Sequence, residues 1–174
     1  MNINELSAII EETRDCGTVH VLAFDRQHDL SWEESIIEKS KEIPFFSWNS
    51  IWFYRKNKKG IAEQPVSIDE VRDKKLFKEI TDSASAVAIL SQLLHKDMAY
   101  GSEIMPLEEA RNLASGFISL FDATSNYYSN STWHQHESGG NIRAWAPLTE
   151  ATFDSGIIVV DNHKIGIAWF EDED

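Results

Sequence analysis

His134-Gln135-His136-Glu137 is the one run in this chain whose residue types and spacing could hold a metal ion. On a strand, residues two apart face the same side, so His134 and His136 could reach one ion while Glu137 points away. Zinc would need a third and fourth ligand, for which His163 and Asp154 are the candidates. The same pattern occurs in exposed turns, and Ser138-Gly139-Gly140 directly follows it. The spacing alone is therefore weakly specific. Cys16, the single cysteine, lies between Asp15 and Gly17, where a carboxylate raises rather than lowers a thiol pKa. That placement suits a small filler at a helix end better than a nucleophile. No serine sits in a G-x-S-x-G elbow, and neither a P-loop nor a dinucleotide-binding glycine pattern is present. The sequence thus predicts no catalytic residue, no bound cofactor and no enzymatic activity. A metal-dependent enzyme built on His134 and His136 stays open as the alternative.

Charge gives a second kind of chemistry. Sixteen Lys and Arg stand against 29 Asp and Glu, a formal net charge of −13. Such a field repels phosphate backbones and anionic lipid and accelerates encounter with a basic partner. Neither nucleic acid nor membrane is an expected direct partner. The excess is unevenly spread: residues 51–78 are net +4, whereas residues 150–174 are net −6 and close on Glu171-Asp172-Glu173-Asp174. Arg55, Lys56, Lys58 and Lys59 read as a solvated turn. Trp169-Phe170 leads into the acidic run, and an aromatic anchor rimmed by carboxylates is what a binding hot spot for a basic protein requires. The competing reading is a terminal strand with a frayed tail.

The elements that must position these groups follow from hydrophobic spacing. Ile3, Leu6, Ile9 and Ile10 predict a helix over 3–14, and Thr18 to Phe24 a buried strand. Ser31-Trp32-Glu33-Glu34 has capping-box spacing and opens a helix over 32–42. Trp48 to Arg55 reads as a strand turning at 56–60 into a short partner. Ser67-Ile68-Asp69-Glu70 opens a further helix, with Ile68, Val71, Leu76 and Ile80 on one side. Residues 83–96 read as a helix, with Val87–Leu90 as a possible strand. Pro106 suits the first turn of a helix over 106–121, because its missing N–H is not needed there. Tyr127 to His136 and Ile142 to Ala146 read as a hairpin or meander, and residues 155–160 and 164–170 as a second hairpin. The expectation is one α+β domain spanning 1–174. Several helices in the N-terminal two-thirds would pack on a mainly antiparallel sheet, formed largely by C-terminal hairpins. A single cysteine, no apolar run near the ~20 residues of a membrane span and no signal-peptide pattern predict a cytoplasmic protein.

The segment Pro147-Leu148-Thr149-Glu150-Ala151-Thr152-Phe153-Asp154-Ser155-Gly156-Ile157-Ile158-Val159-Val160, continued by Lys164 to Asp174, resembles the tail of bacterial immunity proteins. These belong to contact-dependent growth inhibition and related polymorphic toxin systems. The resemblance covers roughly the last 30 residues and the general form of a small, acidic, cysteine-poor chain. It implies an inhibitor that binds one cognate toxin C-terminal domain, commonly a nuclease, and blocks its active site or substrate-binding surface; a basic toxin and a monomeric inhibitor are the expectations here. The contacts expected on that reading are Glu171, Asp172, Glu173 and Asp174, then Asp154 and Asp161, with Trp169 supporting from beneath. Asp25, Asp29, Glu33 and Glu34 form a rival acidic surface. A small acidic interaction module with no toxin partner is the other open reading.

Overall fold

A computed structural model describes residues 1–40, 55–56, 62–64, 77–130 and 151–173. In chain order these form α1 (Ile3–Thr13), β1 (Thr18–Asp25), α2 (Trp32–Ser40), β2 (Arg55–Lys56), β3 (Ala62–Gln64) and β4 (Lys78–Ile80). Then come α3 (Ser83–His95), α4 (Leu107–Ile118), β5 (Asn126–Ser129), β6 (Phe153–Val160) and β7 (Lys164–Asp172). Five strands make one sheet in the order β1-β7-β6-β5-β4, every neighbouring pair antiparallel, and β2 and β3 pair separately. The class is α+β, as the sequence pattern predicts.

Local chemistry explains where the helices begin. Asn2 caps α1: its side chain accepts from the Glu5 amide at 3.0 Å, while its own amide donates to the Glu5 carboxylate at 2.8 Å. Ser31 and Glu34 form the same reciprocal pair at the start of α2, at 3.2 and 2.8 Å. Each satisfies two backbone donors that a helix start otherwise leaves unpaired. Asp82 caps α3 through the Ser85 amide at 2.7 Å. Pro106 stands at the N-cap of α4, with extended ψ, one position before the first turn.

The sheet is covered on both faces, which is why β6 and β7 read as nearly continuous apolar runs. Ile157, Val159, Ala168 and Phe170 point to a core built with Leu6 and Ile10 of α1, Leu90 and Leu94 of α3, and Leu113 and Phe117 of α4. Ile158, Val160, Ile165, Ile167 and Trp169 point the other way and pack with Ile36 of α2. Full burial of such a side chain contributes about 1.5–3 kcal/mol, so this double-sided core is the main source of stability.

Three expectations need correction. Residues 78–80 are a strand paired with β5, because Phe77 and Ile80 serve the sheet instead of a helix face. Ile9 is 40% exposed: Ile3, Leu6 and Ile10 fill the inward stripe of α1 and leave it on the flank. The helix expected over 106–121 ends at Ile118, although Phe121 just beyond it still reaches the core. Residues 83–95 are helical, which settles the Val87–Leu90 alternative. Trp48 to Tyr54, the start of the 67–80 helix and the 131–146 meander lie outside the described residues.

Candidate functional site

The acidic C-terminal segment is the site the sequence pointed to, and here it is strand β7, seated between β1 and β6. Trp169 is fully buried on the α2 face, directly across from His20 on β1 and Gly156 on β6. A Cβ at Gly156 would collide with the Ala168 carbonyl oxygen and lie 2.5 Å from Cε3 of Trp169. Glycine at 156 is therefore what lets the indole lie down on the sheet. The indole Nε1 is buried with no hydrogen-bond partner among the described residues. Trp169 thus lies beneath the surface.

Asp172 is buried as well, facing the core that contains α1. The Nη2 group of Arg14 donates to both its carboxylate oxygens at 2.8 Å, and the Met98 amide donates to Oδ2 at 2.7 Å. Arg14 is 2% exposed; its Nη1 donates to the Cys16 carbonyl and its guanidinium lies 5.0 Å from the Phe170 ring centre. One carboxylate thereby ties together the end of α1, the turn after α3 and the end of the sheet. Gly17 makes that approach possible: at φ +67 it turns the chain left-handed, and a Cβ there would run into the Glu171 carbonyl and the Asp172 carboxylate.

Asp154, 1% exposed, accepts from the Asn130 side-chain amide at 3.2 Å, and Ser155 donates to the Asn130 oxygen at 2.9 Å. Asp161, 4% exposed, organises the β6–β7 turn by accepting from the His163 and Lys164 amides at 2.7 and 2.6 Å. Burial pushes its carboxyl pKa up, but those amides, the Asp122 amide and the Lys164 charge outweigh burial and hold it below the usual value. Glu171, half-buried, meets His20 Nε2 at 2.9 Å. Glu173 is exposed and accepts from the Thr152 hydroxyl at 2.9 Å. Asp174 lies outside the described residues.

The expectation of a contact surface made from these residues is therefore corrected for Asp154, Asp161 and Asp172. Their carboxylates are buried and engaged by internal donors, so as folded they do not form an open acidic surface. Sequence separation hid this: 158 positions divide Arg14 from Asp172, and no local pattern marks an acidic residue near a chain end as an internal ligand.

The metal hypothesis fares differently residue by residue. His134, His136 and Glu137 are not among the described residues. Asp154 lies near the start of β6 and His163 in the turn beyond its end at Val160, so the strand between them alone spans roughly 20 Å at 3.3 Å per residue. They cannot share one ion. Among the described residues no group of three or more His, Cys, Asp or Glu is placed to hold a metal. The Cys16 thiol is raised by burial first, with Asp172, Asp97 and Asp15 adding to the shift and Arg14 opposing it. The direction is the one the flanking carboxylate predicts; the chief cause is desolvation.

What the fold leaves on the surface is a different set of acids. α1 exposes Glu5, Glu11 and Glu12, with Asp15 just beyond its end; Arg14 at its C-cap is internal, and the N-terminal ammonium lies 3.9 Å from the Glu5 carboxylate. Asp25 and Asp29 of the rival surface are exposed, whereas Glu33 and Glu34 are half-buried and Glu34 is used in the α2 cap. Among the described residues no helix is long and apolar enough to cross a membrane. No family model, no curated protein and no solved structure matches this chain.

Proposed function

We propose that this chain is an immunity-type inhibitor: it binds a cognate basic toxin domain, a nuclease being the best fit, and blocks its active site by occlusion and not by catalysis. The observation that carries this reading is the distribution of charge. A −13 chain spends its buried acids on internal bonds and still presents Glu5, Glu11 and Glu12 of α1 and the adjoining Asp15 as exposed carboxylates, with the N-terminal ammonium near Glu5 alone. A nuclease cleft must be positive to hold a polyanion, and surface carboxylates can occupy the positions of its phosphates. Steering by the whole field speeds capture, which serves a protein that must intercept a toxin inside the cytoplasm. The interface in this proposal lies on the exposed acids, Glu5, Glu11, Glu12, Asp15 and Asp25, and not on the tail.

The test is co-expression with a basic nuclease toxin domain, taken from any large secreted protein that a neighbouring gene proves to encode, followed by binding with purified components across a salt series. Rescue of growth, and an association rate that falls steeply with ionic strength, are the expected results. A toxin domain that kills regardless of co-expression and shows no binding removes the proposal.

A further inference from the structure

Tyr100 is 74% exposed, the most open large side chain among the described residues. A single exposed aromatic is ordinary on a protein surface. What sets this one apart is how firmly its backbone is held. Between His95 and Met105 the chain turns back on itself: Lys96 pairs with Glu103 in an antiparallel bridge, the Asp97 amide donates to the Ser102 carbonyl at 3.0 Å, and the Ile104 amide donates to the His95 carbonyl at 2.8 Å. Inside that narrow loop the Asp97 carboxylate accepts from the Tyr100 and Ser102 amides, both at 2.6 Å, and the Asp97 carbonyl accepts from the Gly101 amide at 3.2 Å. Gly101, at φ +70, closes the turn. The Met98 amide, donating to Asp172 at 2.7 Å, fastens the loop to the end of β7. A ring carried on so preset a backbone loses little freedom when a partner buries it.

Asp172 also determines what surrounds the loop. Because it holds Arg14 as well as Met98, the turn 14–17, the loop 96–103 and residues 171–173 meet at one end of the sheet. Arg14 and Asp172 cancel each other at 2.8 Å. The remaining charges of these three segments are Asp15, Asp97, Glu103, Glu171 and Glu173 against Lys96, with His20 meeting Glu171 at 2.9 Å. Asp15, Glu103, Glu173 and Lys96 are exposed. An accessible aromatic ring among surplus carboxylates favours a guanidinium or ammonium group, since the π face attracts the cation and the acids answer its charge. Phosphate or another acidic chain is repelled.

We infer that Tyr100 is an anchor of the interface, on whose ring the basic partner lays an Arg or Lys side chain, with Asp15 and Glu103 rimming the contact. This rests on the inhibitor reading and specifies its contact. Asp15 belongs both to the acids assigned to that interface and to the surroundings of this loop.

Replacing the ring tests this directly. A side chain so exposed adds little to the fold, so each variant should keep the wild-type unfolding midpoint. The full chain and its Tyr100→Ala, Tyr100→Leu and Tyr100→Phe variants are titrated against the basic nuclease toxin domain of the co-expression test. Tyr100→Ala should lose affinity by about 30-fold or more, the scale of an interface hot spot, mostly through faster dissociation. Tyr100→Phe keeps the π face and should stay within about threefold of wild type, whereas Tyr100→Leu, apolar without a π face, should fall close to Tyr100→Ala. Wild-type binding with unchanged affinity in Tyr100→Ala overturns the anchor while leaving the inhibitor reading intact. Tyr100→Leu binding as wild type would make the contact plain apolar burial, and Tyr100→Phe binding as weakly as Tyr100→Ala would give it to the hydroxyl; either overturns the cationic assignment. No wild-type binding overturns the inhibitor reading and this inference with it.

Discussion

Arg14→Ala should destabilise the protein far beyond what a residue at the end of a short helix normally contributes. The guanidinium side chain is 0% and the Asp172 carboxylate 4% exposed, so neither charge has water to fall back on. The variant removes two bonds of 2.8 Å to Asp172, the bond to the Cys16 carbonyl and the contact over Phe170. What stays behind is a buried carboxylate with the Met98 amide as its described donor. Breaking a buried pair from one side costs about 3–5 kcal/mol, against a total stability of about 5–15 kcal/mol. With a urea m-value of about 2 kcal/mol/M, the unfolding midpoint should fall by about 1.5–2.5 M with m unchanged. Arg14→Met combined with Asp172→Leu removes both charges and fills the space, so most of the loss should return. The residue of the effect is the orphaned Met98 amide, about 1 kcal/mol. A midpoint for Arg14→Ala within about 0.5 M of wild type would refute the reasoning. A double variant as unstable as either single would show that packing, and not uncompensated charge, sets the cost.

Two further outcomes follow from the same sheet. Gly156→Ala should cost about 1–3 kcal/mol, since the new Cβ meets backbone atoms of β7, including the Trp169 Cα at 2.7 Å, that cannot swing aside. Calorimetry and the near-ultraviolet dichroism of the tryptophans should both register it, and an unchanged melting temperature would mean that the strands separate easily. Asp161 is opposed by burial but held low by the Lys164, His163 and Asp122 amides. A carboxyl depressed in the folded state stabilises above its ordinary pKa of about 3.9 and loses that contribution as pH falls toward the folded value. The melting-temperature gap between wild type and Asp161→Asn should therefore be full near neutrality and narrow below about pH 4. A gap constant through the acid range would remove the charge argument.

Periodicity and capping carried most of the architecture into the sequence. Both ends of the His163 hairpin were legible because β6 and β7 are apolar on each face and a turn sequence separates them. The α2 cap was legible because Ser31 and Glu34 act within one turn. What failed was non-local. Residues 78–80 join a sheet only because β5 lies beside them, and that neighbour is nearly 50 positions away in sequence. Ile9 satisfies helical spacing as well as Ile10 does, yet only one of them can face a core one helix wide. The candidate site failed for the same reason: composition counts carboxylates without saying which have an internal donor, and the donors for Asp154 and Asp172 come from Asn130 and Arg14.

That last point governs how any loss of partner binding is to be interpreted. Two kinds of acid occur along β1 and β7, with Asp172 and Asp15 at one end and Asp25 at the other. Asp172 acts on the fold, since its charge is cancelled by Arg14 at 2.8 Å and its removal strands a buried cation. Asp15 and Asp25 act on the field outside, since both are exposed and no described ion pair holds either. Reversal at Asp172 would weaken a complex by lowering the population of folded protein, and the deficit would vanish wherever stability is restored by other means. Reversal at Asp25 would leave the unfolding midpoint nearly where it was and slow association instead, more at low salt than at high. The chemistry that makes a buried acid look like a hot spot in an alanine scan is the cost of abandoning its partner, so an interface on this protein is defined by kinetics at exposed acids and not by the size of the loss.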